Sequence, residues 1–97
     1  MIIHLLYGVC GEYDDREIWN VRAYKNKKDA NNEKMRLNDL LDKLGALAGE
    51  AKFNYSESSG MGGTTRTQVM ETMRKEDKQF RVDYTGSEYF IDAIRLI

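Results

Sequence analysis

A leucine-rich stripe in the second quarter of the chain constrains the fold more than any other feature of the sequence. Its apolar residues recur at spacings of three, four and seven, namely Ala30, Leu37, Leu40, Leu41, Leu44, Leu47, Ala48 and Ala51. This period predicts an amphipathic helix that packs on a sheet or on another helix. Asn26 stands at the N-cap position and Asp29 in the first turn, so the helix should begin there. Gly45 falls inside the pattern, and Gly49 is a candidate for an early end.

Two strands are predicted ahead of this helix. One side of a two-residue period near the N-terminus is entirely apolar, with Ile3, Leu5, Tyr7 and Val9, while the other side is mixed. This pattern is typical of a well-covered strand. Trp19, Val21 and Ala23 then alternate with more polar residues, which predicts a second strand that returns antiparallel to the first. The polar segment 12–17 should form the tip of the hairpin.

The second half of the chain predicts another helix and another hairpin. Thr65 and Gln68 have the spacing of a capping box, and a short apolar stripe follows them and ends near Asp77. Alternation over 80–84, a Thr-Gly-Ser turn and the β-rich segment 89–97 indicate two further strands. The segment 56–65, rich in Ser and Gly, should be a flexible connection, because it has too little apolar area to offset its ordering entropy.

Together these elements predict one α+β domain over residues 1–97, because a chain of 97 residues is too short for two independent cores. The predicted order is β-β-α-α-β-β. Three to four strands would form an antiparallel sheet, and two helices would cover one of its faces.

Charge and cysteine content narrow the classes of function. Fifteen basic and sixteen acidic residues give a net charge of -1, so no long-range field draws the chain to nucleic acid or to an anionic membrane. The single Cys10 cannot form an internal disulfide, and no Cys and His cluster suggests a metal or another cofactor. His4 interrupts the apolar start and acidic residues follow it directly, so neither a signal peptide nor a membrane span is expected there. These features predict a cytoplasmic protein.

An acidic cluster around one aromatic residue is the leading candidate for a partner-binding site. It lies at the tip of the first hairpin and consists of Glu12, Tyr13, Asp14, Asp15 and Glu17. An exposed tyrosine beside carboxylates can dock in a basic groove of a partner protein. The alternative is a turn that is acidic for local reasons only.

Two other segments could bind phosphate or nucleic acid. One is a basic stretch over 22–36, with the candidate contacts Arg22, Tyr24, Lys25, Lys27 and Lys28. The other is the glycine-rich segment before the second helix, with Gly60, Gly62, Gly63, Thr64 and Arg66, where backbone N–H groups could hold a phosphate. A solvated helix face and a simple loop are the alternatives.

No catalytic site follows from the sequence. His4 and Cys10 have the same strand parity, but six extended residues separate them by about 20 Å, so they cannot form a base and nucleophile pair on one strand. No pair of carboxylates stands in an apolar setting that would raise a pKa. The chain is therefore expected to be a binding protein and not an enzyme.

The first third of the chain resembles small uncharacterised proteins of phages and prophages. The likeness rests on Tyr7, the run Gly11-Glu12-Tyr13-Asp14-Asp15, then Ile18, Val21 and Lys28-Asp29-Ala30. In that pattern a strand ends in a Tyr-Ser/Asp-Asp turn, and a second strand and a helix follow. The resemblance implies a phage origin and stoichiometric binding to a host protein, including proteins of defence systems. It implies no enzymatic activity, and it leaves the oligomeric state open, with a homodimer as one option.

Overall fold

The structure is a computed structural model, and it describes residues 1–11, 14, 16–49, 65–83 and 85–96. Three strands and two helices follow one another in the order β1 (Ile2–Cys10), β2 (Glu17–Tyr24), α1 (Lys27–Lys43), α2 (Arg66–Arg74) and β3 (Ser87–Arg95). The strands form one antiparallel sheet in the order β2-β1-β3. The predicted α+β class is confirmed, with the first predicted strand at the centre of the sheet.

Both helices lie on the face of the sheet that carries the mixed side of β1. Leu6 and Cys10 point to this face and join one buried cluster with Trp19, Tyr89, Phe80, Val82, Ala46 and the helix residues Leu37, Leu41, Val69 and Met73. The register between β1 and β2 shifts between Leu6 and Tyr7, and Val21, which lies at this bulge, packs against the cluster. The wholly apolar side of β1 therefore lies on the opposite face.

The first helix begins where the sequence predicts and ends earlier. The Asn26 side chain accepts a hydrogen bond from the Lys28 backbone N–H at 2.8 Å, which confirms the N-cap. The helix stops at Lys43 and does not continue through Leu47 and Ala48, because Gly45 adopts a left-handed conformation with φ of 71°. Leu44 and Leu47 still pack against the core, but from the turn that follows the helix. Ala51 lies outside the described residues.

The second helix has the predicted capping box and a shorter body. The Thr65 side chain accepts from the Gln68 N–H at 3.2 Å, and the Gln68 side chain accepts from the Thr65 N–H at 2.8 Å. The helix ends at Arg74, ahead of the predicted end near Asp77. The Met73 carbonyl accepts from the N–H groups of Glu76 and Asp77, which closes the turn.

The strand predicted over 80–84 is wrong for residues 80–83, whereas the last predicted strand is present as β3. Residues 80–83 are irregular, although Phe80 and Val82 are buried. Their alternation reflects two side chains inserted into the core from a coil, and no sheet ladder is formed by this segment. Tyr84 and residues 50–64 lie outside the described part, so the prediction of a flexible connection over 56–65 stays a prediction. No helix in the described ranges is long and apolar enough to cross a membrane.

We expect Leu41→Ala to lower the free energy of unfolding by about 2–5 kcal/mol, because Leu41 is fully buried between α1 and the sheet. Met35→Ala in the same helix is the control, since 59% of that residue is exposed, and it should change stability by less than about 0.5 kcal/mol. Urea unfolding of both variants measures the difference. Equal costs would contradict the packing of the leucine stripe.

Candidate functional site

A buried carboxylate joins three parts of the chain beneath the helices. Only 5% of Asp77 is exposed. Its Oδ2 atom accepts hydrogen bonds from the Trp19 indole N–H at 2.7 Å and from the Tyr89 hydroxyl at 2.8 Å. Its Oδ1 atom accepts from the Gln79 backbone N–H at 3.2 Å. The carboxylate is thus held by β2, by β3 and by the turn after α2, and such a buried charge is tolerated because strong donors replace water.

Gly8 on the central strand makes room for this cluster. Trp19 and Tyr89 lie directly opposite Gly8 on the two neighbouring strands. A Cβ atom on Gly8 would lie 2.3 Å from Trp19 Cζ2, so the indole covers the glycine. The Trp19 ring meets Phe80 and Tyr89 edge to face, with centroid distances of 5.8 and 6.1 Å. The contact explains why a glycine interrupts the pattern of apolar residues in a central strand.

The buried protonated groups do not offer a reactive centre at neutral pH. Burial raises the pKa of the Cys10 thiol to about 11, and the nearby carboxylates of Asp83 and Glu17 add to the effect. Burial also raises the pKa of Tyr89, as do the charge of Asp77 and the hydrogen bond to it. A neutral thiol is a weak nucleophile. The described residues contain no group of three or more His, Cys, Asp or Glu side chains that could hold a metal ion.

The face of the sheet opposite the helices carries a continuous apolar surface, which we call the open face. The row from β1 is partly exposed, and neighbouring side chains from β2 and β3 extend it; the members are Ile3, Leu5, Tyr7, Val9, Ile18, Phe90 and Ile94. Exposure reaches 59% at Ile18 and 41% at Ile94. Tyr7 and Phe90 stack with a centroid distance of 5.8 Å. Glu88 and Asp92 stand on the β3 side of this surface.

One end of the open face leads into a cleft of 590 Å³. Val9, Glu88 and Phe90 contribute its sheet side, and the loops around Ala48 and Thr85 contribute the other. This concavity gives the otherwise flat surface a pocket at one end, where a side chain of a partner could insert.

The outer edge of β3 is closed over its first residues. The Asn38 side chain accepts from the Tyr89 N–H at 2.8 Å and donates to the Tyr89 carbonyl at 3.1 Å. The Ser87 N–H donates to the Ala46 carbonyl, and the Ala48 N–H donates to the Ser87 carbonyl. These contacts satisfy edge groups that could otherwise pair with another chain.

The structure describes only part of the predicted acidic tip. Asp14 and Glu17 are exposed, while Glu12, Tyr13 and Asp15 lie outside the described residues. Glu17 is the first residue of β2, and its carboxylate lies 3.5 Å from the Arg81 guanidinium. The docking role of the tip stays a prediction.

The predicted basic stretch is exposed at its lysines and less so at its aromatic residue. Arg22, Lys25, Lys27 and Lys28 are exposed, whereas Tyr24 is half-buried and packs against the core. Stacking of a base on Tyr24 would therefore have less free ring surface than the sequence suggested. Further along α1, Arg36 pairs with Glu33 and with Glu76, which matches the alternative of a salt-bridged helix face.

Of the predicted phosphate-binding segment, only Arg66 can be located. It is the first residue of α2, while Gly60, Gly62, Gly63 and Thr64 lie outside the described residues. Phosphate binding by this loop stays a prediction.

Sequence reasoning missed a polar groove between β2 and the segment after α2, which we call the arginine groove. It consists of two clefts, of 940 and 540 Å³, that share Glu17, Arg74 and Arg81. Its cations are Arg16, Arg66, Arg74, Lys78 and Arg81, and its acids are Asp14, Glu17 and Asp83. No local pattern indicated it, because these residues come from the first hairpin, from α2 and from the coil before β3.

No family model matches the chain, and neither a curated protein nor a solved structure matches it. The resemblance to phage proteins stays a prediction.

We expect Gly8→Ala to destabilise the protein by about 1–3 kcal/mol, because the new methyl group would collide with the buried indole of Trp19. The double variant with Trp19→Phe is the matched test, since phenylalanine lacks the indole atoms that the methyl group would meet. Gly8→Ala should cost less in the Trp19→Phe chain than in the parent. Denaturant unfolding of the four chains gives the coupling energy, and a coupling of zero would contradict the close contact.

We expect stability to fall with rising pH above about pH 9. The folded-state pKa values of Cys10 and Tyr89 are raised, so the unfolded chain releases these protons first and binds fewer of them. Their contribution is complete below pH 9 and is lost at about 1.4 kcal/mol per pH unit for each group. Cys10→Ala should reduce the loss of stability that begins near pH 9. Tyr89→Phe should reduce the loss above pH 10. Urea unfolding at a series of pH values gives the free energy of unfolding of each chain. If burial does not hold these protons, the slope of this free energy against pH will be the same in the variants as in the parent.

Proposed function

We propose that this chain is a non-enzymatic protein-binding module that acts by stoichiometric occupation of a surface on a partner protein. The observation that supports this function is the open face, an apolar surface on the side of the sheet away from both helices. A contiguous exposed apolar surface of this kind often marks an interaction site. The phage resemblance agrees with such a role and makes a host protein the natural partner.

The residue pattern of β1 favours a functional role for the open face over exposure by chance. Its most regular apolar row, with Leu5 and Tyr7 at the middle, points away from the helices. An antiparallel sheet with one solvated face normally shows polar residues on that face. In β1 the residues that interrupt the apolar pattern, His4 and Gly8, fall on the helix side instead. The inversion is understandable if a partner covers the open face in the working state.

The shape and charge of the open face favour an amphipathic helix with basic flanks as the occupant. Three strands at about 4.8 Å spacing make a surface about 10–14 Å wide, which is close to the diameter of one α-helix. Among the described strand residues that point to this face, Glu88 and Asp92 carry the only charges, and both are acidic. Lysine or arginine beside the apolar stripe of a partner helix would complement them.

The proposal is tested with two designed helical peptides that share one apolar stripe and differ in their flanks, which are lysine in one and glutamate in the other. Calorimetric titration should give about tenfold tighter binding of the lysine peptide at low salt. Glu88→Gln with Asp92→Asn should remove that preference. Ile18→Thr with Ile94→Thr should weaken both peptides, because these side chains supply exposed apolar area.

A matched control distinguishes the open face from other surfaces. Lys27→Gln with Lys28→Gln lies at the start of α1 and should leave peptide binding unchanged. Equal affinity for the two peptides, or insensitivity to the isoleucine changes, would reject a basic helix on this face. Reversible dimerisation that the isoleucine changes abolish would assign the face to a second copy instead. Binding of oligonucleotides that the lysine changes abolish would favour the nucleic-acid alternative.

A further inference from the structure

The arginine groove adjoins the open face at Ile18, and its cations and strand edge are not used by the proposed function. It runs beside the outer edge of β2, and its opposite wall comes from the end of α2 and the turn after it. Ile18, Trp19 and Asn20 line the strand side, while Arg74 and Lys78 line the helix side. A bound segment would therefore have a strand edge on one side and positive charge on the other.

The backbone of β2 directs hydrogen-bonding groups into this groove. β2 is an edge strand of the sheet. In an antiparallel ladder, alternate residues point both backbone groups at the partner strand, and the residues between them point theirs away. The backbone N–H and C=O of Tyr89 point outward to Asn38. Gly8 faces Tyr89, so the backbone N–H and C=O of Gly8 point to the other side, toward Trp19 on β2. Ile18 and Asn20 therefore direct their N–H and C=O groups away from β1.

The charge of the groove differs in sign from that of the whole chain. Its two clefts hold five cationic and three acidic side chains, although the chain has a net charge of -1. One of the acids, Glu17, is paired with Arg81 at 3.5 Å, and both side chains are more than half exposed. Such an exposed pair contributes little and exchanges readily for another carboxylate.

We infer that the arginine groove binds an extended acidic peptide segment, which adds to β2 as a further strand and places carboxylates beside Arg74, Lys78 and Arg81. Strand addition supplies backbone hydrogen bonds, and the cations supply preference for acidic residues. Single-stranded nucleic acid fits less well, because Trp19, the aromatic residue that lines these clefts in the described part of the chain, is 5% exposed and cannot stack a base. The inference stands or fails independently of the open face.

The experiment uses a fluorescent eight-residue peptide of alternating glutamate and threonine, and it measures anisotropy with the whole chain. A lysine and threonine peptide tests charge, and a glutamate peptide methylated on alternate backbone nitrogens tests strand pairing. We expect each of these two peptides to bind about tenfold more weakly than the parent peptide. Protection of the Ile18 and Asn20 amides from hydrogen exchange should accompany binding of the parent peptide.

Charge-matched variants locate the site on the protein. Lys78→Gln with Arg81→Gln should weaken the glutamate peptide about tenfold, whereas Lys27→Gln with Lys28→Gln removes the same charge elsewhere and should change it less than about twofold. Thermal unfolding of both variants checks that each is folded. Equal binding of the methylated peptide would overturn strand addition. Tighter binding of oligo-dT than of the glutamate peptide, or no binding of that peptide, would overturn the inference as a whole.

Discussion

The hydrogen bonds that Trp19 and Tyr89 donate to Asp77 are the constraint on which the rest of the structure depends. The two donors sit on the edge strands, and the acceptor sits in the turn after α2, so one carboxylate fixes both edges of the sheet to the helical layer. Removal of one partner would leave a buried charge or a buried donor unsatisfied, which costs more than the hydrogen bond itself contributes. The same turn delivers Phe80 to the core, so the irregular segment before β3 is ordered by this contact as much as by its own apolar side chains.

This arrangement determines which face of the sheet the helices cover. The Trp19 indole reaches over the central strand, so the position that it covers has no room for a side chain and is Gly8. The helix-facing side of β1 therefore looks irregular in sequence, although it is the well-packed side. The regular apolar row is left on the open face, where it adds little to the core and supplies the surface of the proposed interaction. Fold stability and the proposed interaction thus draw on opposite sides of the same strand.

Local patterns predicted the elements that local chemistry determines. The caps at Asn26 and Thr65 need only neighbouring residues, and the buried positions of α1 follow from its own period. The errors came where apolar spacing concealed another local signal, or where distant residues decide. Phe80 and Val82 alternate like a strand but are held by a turn at Asp77, and the helix end at Gly45 depends on a left-handed glycine that the leucine spacing concealed. The Asp77 cluster spans 58 residues to Trp19, and the arginine groove gathers side chains from three segments, so neither leaves a periodic signal.

The side-chain amide of Asn38 has a consequence for how molecules of this protein can meet. The asparagine amide uses one of its N–H groups and its carbonyl oxygen to bond the C=O and N–H of Tyr89, so it acts there as a strand of a single residue. A sheet can extend from molecule to molecule only if each molecule has two free strand edges, one for each neighbour. With helix α1 anchored beside β3, a full-length strand cannot approach that edge, and pairing at β2 ends with the strand that occupies it. The molecule can accept one extra strand and still resist head-to-tail polymerisation into fibres.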